Sequence, residues 1–156
     1  MAERLNHVEK APGVFRALLH VEKYVQHSGL EASLLHLVKM RVSQINGCAY
    51  CLDMHSRDLR AAGEIEQRIY LLHAWRETTL YSDRERAALA WAESVTLVSQ
   101  THIPDEDYET ARAQFSEEEL ANLTLAVVAI NGWNRLSIAF RTPAGSYQPG
   151  AISASA

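Results

Sequence analysis

The sequence predicts an all-α protein, a bundle of about six to seven helices, because apolar residues recur at three-to-four spacing along most of the chain. Two Ser-x-x-Glu boxes, Ser82–Glu85 and Ser116–Glu119, stand at the heads of such stretches, where a hydroxyl and a carboxylate satisfy the free amides of a helix start. No period-two apolar run is bounded by hairpin turns, so nothing argues for a sheet.

Taken in order, Pro12 and Gly29 bracket the first helix, with Val14, Leu18, Val21 and Val25 on one stripe. Glu31 to Asn46 forms the second through Leu34, Leu37, Val38, Val42 and Ile45, and Gly47 is its natural stop. The third runs from Cys48 to Ala62 and ends at Gly63; a fourth covers Ile65 to Trp75. The Ser82 box opens a helix through Ala88, Trp91, Val95 and Val98. Pro104 and Asp105 begin a short helix to Phe115, and the Ser116 box opens the last, to Phe140. Ile-Asn-Gly occurs twice, at 45–47 and 130–132, and the second copy is expected to interrupt the last helix. The tail, residues 143–156, reads as a loosely held arm.

The chain has 156 residues and fits one domain. With 15 Lys+Arg against 19 Asp+Glu, its net charge of −4 argues against nucleic-acid binding, which draws on basic residues to neutralise phosphates. The most apolar run, Leu120 to Ile130, is about half of the roughly 20 residues a bilayer demands, so no membrane association is expected. Charges alternate over residues 1–10, where a signal peptide would be apolar, so a cytoplasmic setting with reduced thiols is expected. No glycine-rich phosphate loop occurs, and no cofactor is expected.

The only cysteines are Cys48 and Cys51, separated by two residues. On a helix, Cys48, Cys51 and His55 fall at about 0°, 300° and 340°, on one face. Free amides and the helix dipole at the first turn favour an anion, so a thiolate there is stabilised, and the thiolate is the nucleophile. His55 can take the thiol proton or stabilise the thiolate as imidazolium. One sulfur can attack an oxidant and the other resolve the product as a disulfide. Two other readings stay open: inert core packing, since free Cys is often buried, and a Cys₂His₂ zinc site completed by His36. Zinc motifs usually draw on two separated ligand pairs, whereas three of these four residues share one helix, so no metal is expected.

The segment Leu37-Val-Lys-Met-Arg-Val-Ser-Gln-Ile-Asn-Gly-Cys-Ala-Tyr-Cys-Leu-Asp-Met-His55 resembles the core of the carboxymuconolactone decarboxylase/alkylhydroperoxidase D (AhpD-like) family. The similarity centres on residues 34–63 and continues weakly at Trp75-Arg-Glu77, Ala90-Trp91-Ala-Glu93 and Asn134-Arg-Leu136. The resemblance implies an AhpD-like helical bundle and a thiol-dependent peroxidase. In that family's peroxidase branch the second cysteine, here Cys51, attacks the peroxide and becomes a sulfenic acid. The first, here Cys48, is proton donor and resolving partner, and His55 belongs to a proton relay. The resemblance further implies homo-oligomers, trimers or hexamers, whose disulfide is re-reduced by a thiol or lipoyl-type protein. The relay's usual Glu, twelve residues before the first Cys, is replaced here by His36, which can accept a proton but supplies no fixed negative charge.

Tyr50 reads as an interface or core aromatic that could also donate into the site. His20, His27, His73 and His102 lack spacing partners, Trp75, Trp91 and Trp133 read as core or subunit contacts, and Glu117–Glu119 reads as a helix start meeting its dipole. Two other functions remain: decarboxylation of a carboxymuconolactone-type substrate, which has no need of a cysteine pair, and a redox-sensing or metal-binding module without turnover.

Overall fold

The computed structural model describes residues 2–150, and among these residues there are helices and no strands. In chain order they are α1 (His7–Lys10), α2 (Pro12–Gln26), α3 (Ala32–Asn46), α4 (Ala49–Ala61), α5 (Glu66–Leu71), a 3₁₀ segment (Leu72–Glu77), α6 (Asp83–Thr96), α7 (Val98–Thr101), α8 (Asp105–Arg112) and α9 (Glu117–Phe140). The count exceeds the expected range because α1 and α7 are single four-residue turns with no apolar periodicity to announce them. Both capping boxes form: Ser82 Oγ accepts from Glu85 N and Ser116 Oγ from Glu119 N, with each carboxylate returning to the cap amide.

Helix α3 lies at the centre, packed against α4, α6 and α9. Its Leu34, Leu35, Val38 and Val42 enter a core shared with Ala88, Trp91 and Ala92 of α6 and Leu123, Val127 and Ile130 of α9. Its Leu37 and Met40 enter a second cluster with Leu59, Ile69, Leu72 and Trp75. Having apolar residues on more than one side is what sinks a helix into the middle of a bundle.

Two junctions differ from expectation. The fourth helix changes at Leu72 from α to 3₁₀ and kinks at Ala74, where φ is −113° and ψ 26°. The second Ile-Asn-Gly does not interrupt anything: α9 runs unbroken through Gly132. A Cβ there would lie 3.3 Å from Leu18 Cδ2, so Gly132 serves close packing of α2 on α9. Gly47, by contrast, is left-handed at φ 69° and ends α3, with its amide bonded to Gln44 O and that of Cys48 to Ser43 O, a Schellman turn. The two copies share letters and not structure.

Helix α9 is long and apolar enough to cross a membrane by length and composition, more so than its longest apolar run suggested. Its Leu120, Leu123, Ala126, Val127 and Ile130 face the protein core, as do Asn122 and Asn134. Residues 143–150 have no regular structure and lie against α4. Asp53 accepts from Gly145 N at 2.9 Å, and the hydroxyl of buried Tyr147 donates to Asp58 Oδ1 at 2.9 Å. The remainder of the expected arm, 151–156, lies outside the described residues.

Candidate active site

The Schellman turn leaves a single residue between α3 and α4 after Gly47, and that residue is Cys48. Cys48 is therefore the N-cap of α4, with extended backbone (φ −84°, ψ 98°), and its sulfur accepts from Cys51 N at 3.4 Å. A thiol replaces the usual Ser or Asp oxygen at a cap, and the amides that hold a cap oxygen hold a thiolate here. Both cysteines are free and buried, and their sulfurs are 2.7 Å apart. That separation is about 0.7 Å beyond a bonded disulfide, so closing the bond needs little backbone movement.

The two thiols have different acidity. Cys48 is brought down to about 7 by the hydrogen bond from the Cys51 thiol, helped by the Cys51 amide and by Ser137 and Asn134, against the opposing effect of burial. Cys51 is pushed up, by that same hydrogen bond to Cys48 and by burial. The pair holds one proton between two sulfurs, and the charge rests first on the capping sulfur. The expectation of a lowered pKa thus applies to Cys48, because the Cys51 thiol donates to its sulfur and the cap amide adds to that.

Access is the reverse. Cys51 lines a cavity of about 730 Å³ and Cys48 does not. The cavity lies among α2, α3, α4, α9 and residues 147–150, with an apolar sector of Phe15, Leu19, Met54, Ile130 and Trp133. Its volume is that of a small-molecule site.

His55 and His36 reach the same cavity. His55 is buried, and neither of its ring nitrogens has a hydrogen-bond partner; His36 Nδ1 is likewise buried and unpartnered. The ring centroids are 6.3 Å apart. Burial, then the charge of Lys39, lowers the pKa of each, and that of His55 falls well below its ordinary value. Of the two roles the sequence left open for His55, burial favours the neutral proton acceptor over the imidazolium.

Several neighbours were not legible in the sequence. Buried Lys39 is ion-paired with Glu22, and both line the cavity with Asp58 and Tyr147. His7, also buried, lines it while stacking on Phe140 at 5.4 Å. These come from five separate segments and share no local spacing. Tyr50 also faces the cavity, with burial raising its pKa. Of the tryptophans, Trp75 and Trp91 are core, whereas Trp133 meets the cavity and packs edge-on to Phe15 at 5.5 Å. His20 and His73 are exposed, as is His102; His27 is exposed yet borders the cavity.

Beneath the sulfurs, Asn134 is fully buried, accepting from Asn46 Nδ2 at 2.9 Å and donating to Ser43 Oγ at 3.1 Å. It ties the end of α3 to α9 and so fixes the turn that presents Cys48.

The Cys48–Cys51 spacing at a helix start within an all-α bundle fits the CxxC motif of the AhpD-like proteins. The sequence pattern of the Carboxymuconolactone decarboxylase family matches residues 12–94, and the chain belongs to that family. It is similar to the uncharacterised protein YdfG of Bacillus subtilis (strain 168), at 44% identity over 94% of this chain and 99% of YdfG. Among solved structures it is similar to ATU0492 of Agrobacterium tumefaciens, a protein of unknown function provisionally named an antioxidant defence protein AhpD. The identity is 44%, the TM-score 0.90, and the match covers 94% of this chain and all of the other. The AhpD core of an uncharacterised peroxidase-related protein from Ralstonia eutropha JMP134 shares the fold. Its TM-score is 0.79 at 20% identity, with 89% of this chain and 74% of the other covered.

Proposed function

We propose that this protein is a thiol-dependent peroxidase of the alkylhydroperoxidase type, cycling between a dithiol and a Cys48–Cys51 disulfide. The observation that carries the reading is a sulfur pair at 2.7 Å of which only Cys51 opens onto the cavity. Cys48 holds the first negative charge and takes the proton of Cys51, whose sulfur then attacks the terminal oxygen of a hydroperoxide. The O–O bond breaks, an alkoxide leaves and is protonated to the alcohol, and Cys51 becomes a sulfenic acid. Cys48 attacks that sulfur, and the departing hydroxide takes a proton to form water. The sum is one hydroperoxide and two thiols to one alcohol, one water and one disulfide. Neutral His55, with His36 beside it, accepts and returns protons, and the sulfurs carry the electrons without a prosthetic group.

The apolar sector of the cavity favours an organic hydroperoxide over hydrogen peroxide. A thiol or lipoyl-type protein returns the disulfide to the dithiol, which places the cycle in a reducing compartment such as the cytoplasm. Assembly with further copies of the chain, a trimer or hexamer, belongs to this reading as the family resemblance implies it.

The test is a free-thiol count on reduced, metal-free protein before and after one equivalent of cumene hydroperoxide. Both thiols are expected to disappear within seconds and return with dithiothreitol, and Cys51→Ser is expected to lose at least about a thousandfold in turnover. Two thiols still free after many minutes overturn the reading. Lactone decarboxylation that survives in the Cys48→Ser/Cys51→Ser variant replaces it with the other chemistry of the family.

A further inference from the structure

We propose that His36, His55 and Asp58 form a binding site for a divalent transition-metal ion of the zinc class, separate from the two sulfurs. Each residue offers one ligand atom, and the three atoms lie within 4.8 Å of one another. Three points so spaced are at most about 2.8 Å from a common centre, so a contraction of about 0.7 Å each reaches the bond lengths of zinc to imidazole and carboxylate.

One feature beyond the spacing points to an ion. Both ring nitrogens of His55 and Nδ1 of His36 are buried without a hydrogen-bond partner, an arrangement folded proteins rarely leave unfilled. Charge acts in both directions there: Lys39, though ion-paired with Glu22, opposes a positive charge on either imidazole, whereas Asp58 favours one on His36.

Asp58 is oriented as ligating carboxylates are, with the Tyr147 hydroxyl donating to its Oδ1 at 2.9 Å. Two imidazoles and one carboxylate suit zinc and its neighbours, whereas calcium and magnesium prefer all-oxygen shells. All three residues line the cavity, so a fourth position remains open to water or a small ligand. The set differs from the Cys₂His₂ combination that the sequence suggested. The carboxylate comes from Asp58, one turn beyond His55 on α4, in place of the sulfurs. An ion held there occupies imidazole lone pairs, so the loaded site has less to offer a thiol proton; that consequence, unlike the binding, rests on the peroxidase reading.

The experiment uses the Cys48→Ser/Cys51→Ser chain, in which no thiol competes, freed of metal with chelator and titrated with zinc chloride by calorimetry. One zinc per chain is expected. His36→Gln and Asp58→Asn, added singly and checked for unchanged circular dichroism, should each weaken binding about 10- to 100-fold. Cobalt(II) added to the same Cys-free chain should give visible ligand-field bands that His36→Gln abolishes, a readout independent of stability. Absence of zinc binding in the Cys-free chain, or affinity unmoved by both substitutions, overturns the proposal. Neither result touches the peroxidase reading, which the thiol count tests in metal-free protein.

Discussion

Two polar clusters, one part-buried and one buried, meet at α3, and they are finished differently. Around Glu93 every need is met: its carboxylate accepts from Arg41 Nε at 2.7 Å, from Trp75 Nε1 at 2.8 Å and from the Arg76 guanidinium. Around His55 the imidazole nitrogens are left without partners. A satisfied network stiffens a fold, as this one clamps α3 and the 3₁₀ segment to α6. An unsatisfied one costs stability and persists where the groups are needed for something else. Two of the weak sequence matches, at 75–77 and 90–93, fall on the satisfied cluster and report architecture, not chemistry.

The same replacement in both clusters breaks the comparison most directly. Glu93→Leu leaves Arg41 Nε and the Trp75 N–H unpaired and is expected to cost about 3–5 kcal/mol, read from the urea midpoint. Peroxidase activity per folded molecule should stay close to the parent's. His55→Leu is expected to change stability by no more than about 1 kcal/mol while lowering peroxide turnover about 100-fold. Equal destabilisation by the two would mean that His55 is held by partners as Glu93 is, and the contrast would fail.

Proton chemistry separates the clusters next. With Cys48 brought down to about 7, peroxide consumption by the dithiol should rise about tenfold from pH 6 to pH 8 and level off above. Glu93 acts in another window. Burial raises its pKa, but the donors from Trp75, Arg76 and Arg41 outweigh that and lower it below 4.5. The unfolded chain therefore binds this proton first, so the stabilisation is complete above pH 4.5 and is lost as pH falls through the lowered native value. Urea midpoints between pH 6 and pH 3 should show that decline in the parent and a shallower one in Glu93→Leu.

The smallest effects come from the two Ile-Asn-Gly copies. Gly47→Ala forces a side chain into φ 69° and should cost about 1 kcal/mol, with slower peroxide turnover because Cys48 caps α4 from the next residue. Gly132→Ala gains helix propensity and presses only on the movable end of Leu18, so its thermal midpoint should stay close to the parent's. Equal losses at both would restore the likeness between the copies that the structure removes.

Much that depends on neighbours within about seven residues was readable in advance. The capping boxes, the Gly47 stop and the shared face of Cys48, Cys51 and His55 all follow from helix geometry and hydrogen bonds to adjacent backbone. The short turns α1 and α7 escaped because four residues carry no period. Long-range packing alone decided the rest. It opened Cys51 and not Cys48 to the cavity, buried Lys39 against Glu22 from another helix, and brought Asp58 to His36 across α3 and α4. Burial also keeps His55 neutral, and the hydrogen bond between the two sulfurs divides the acidity of two chemically identical thiols. A residue's type and spacing say what it can do; which atoms surround it, and how little water, depends on helices far apart in sequence.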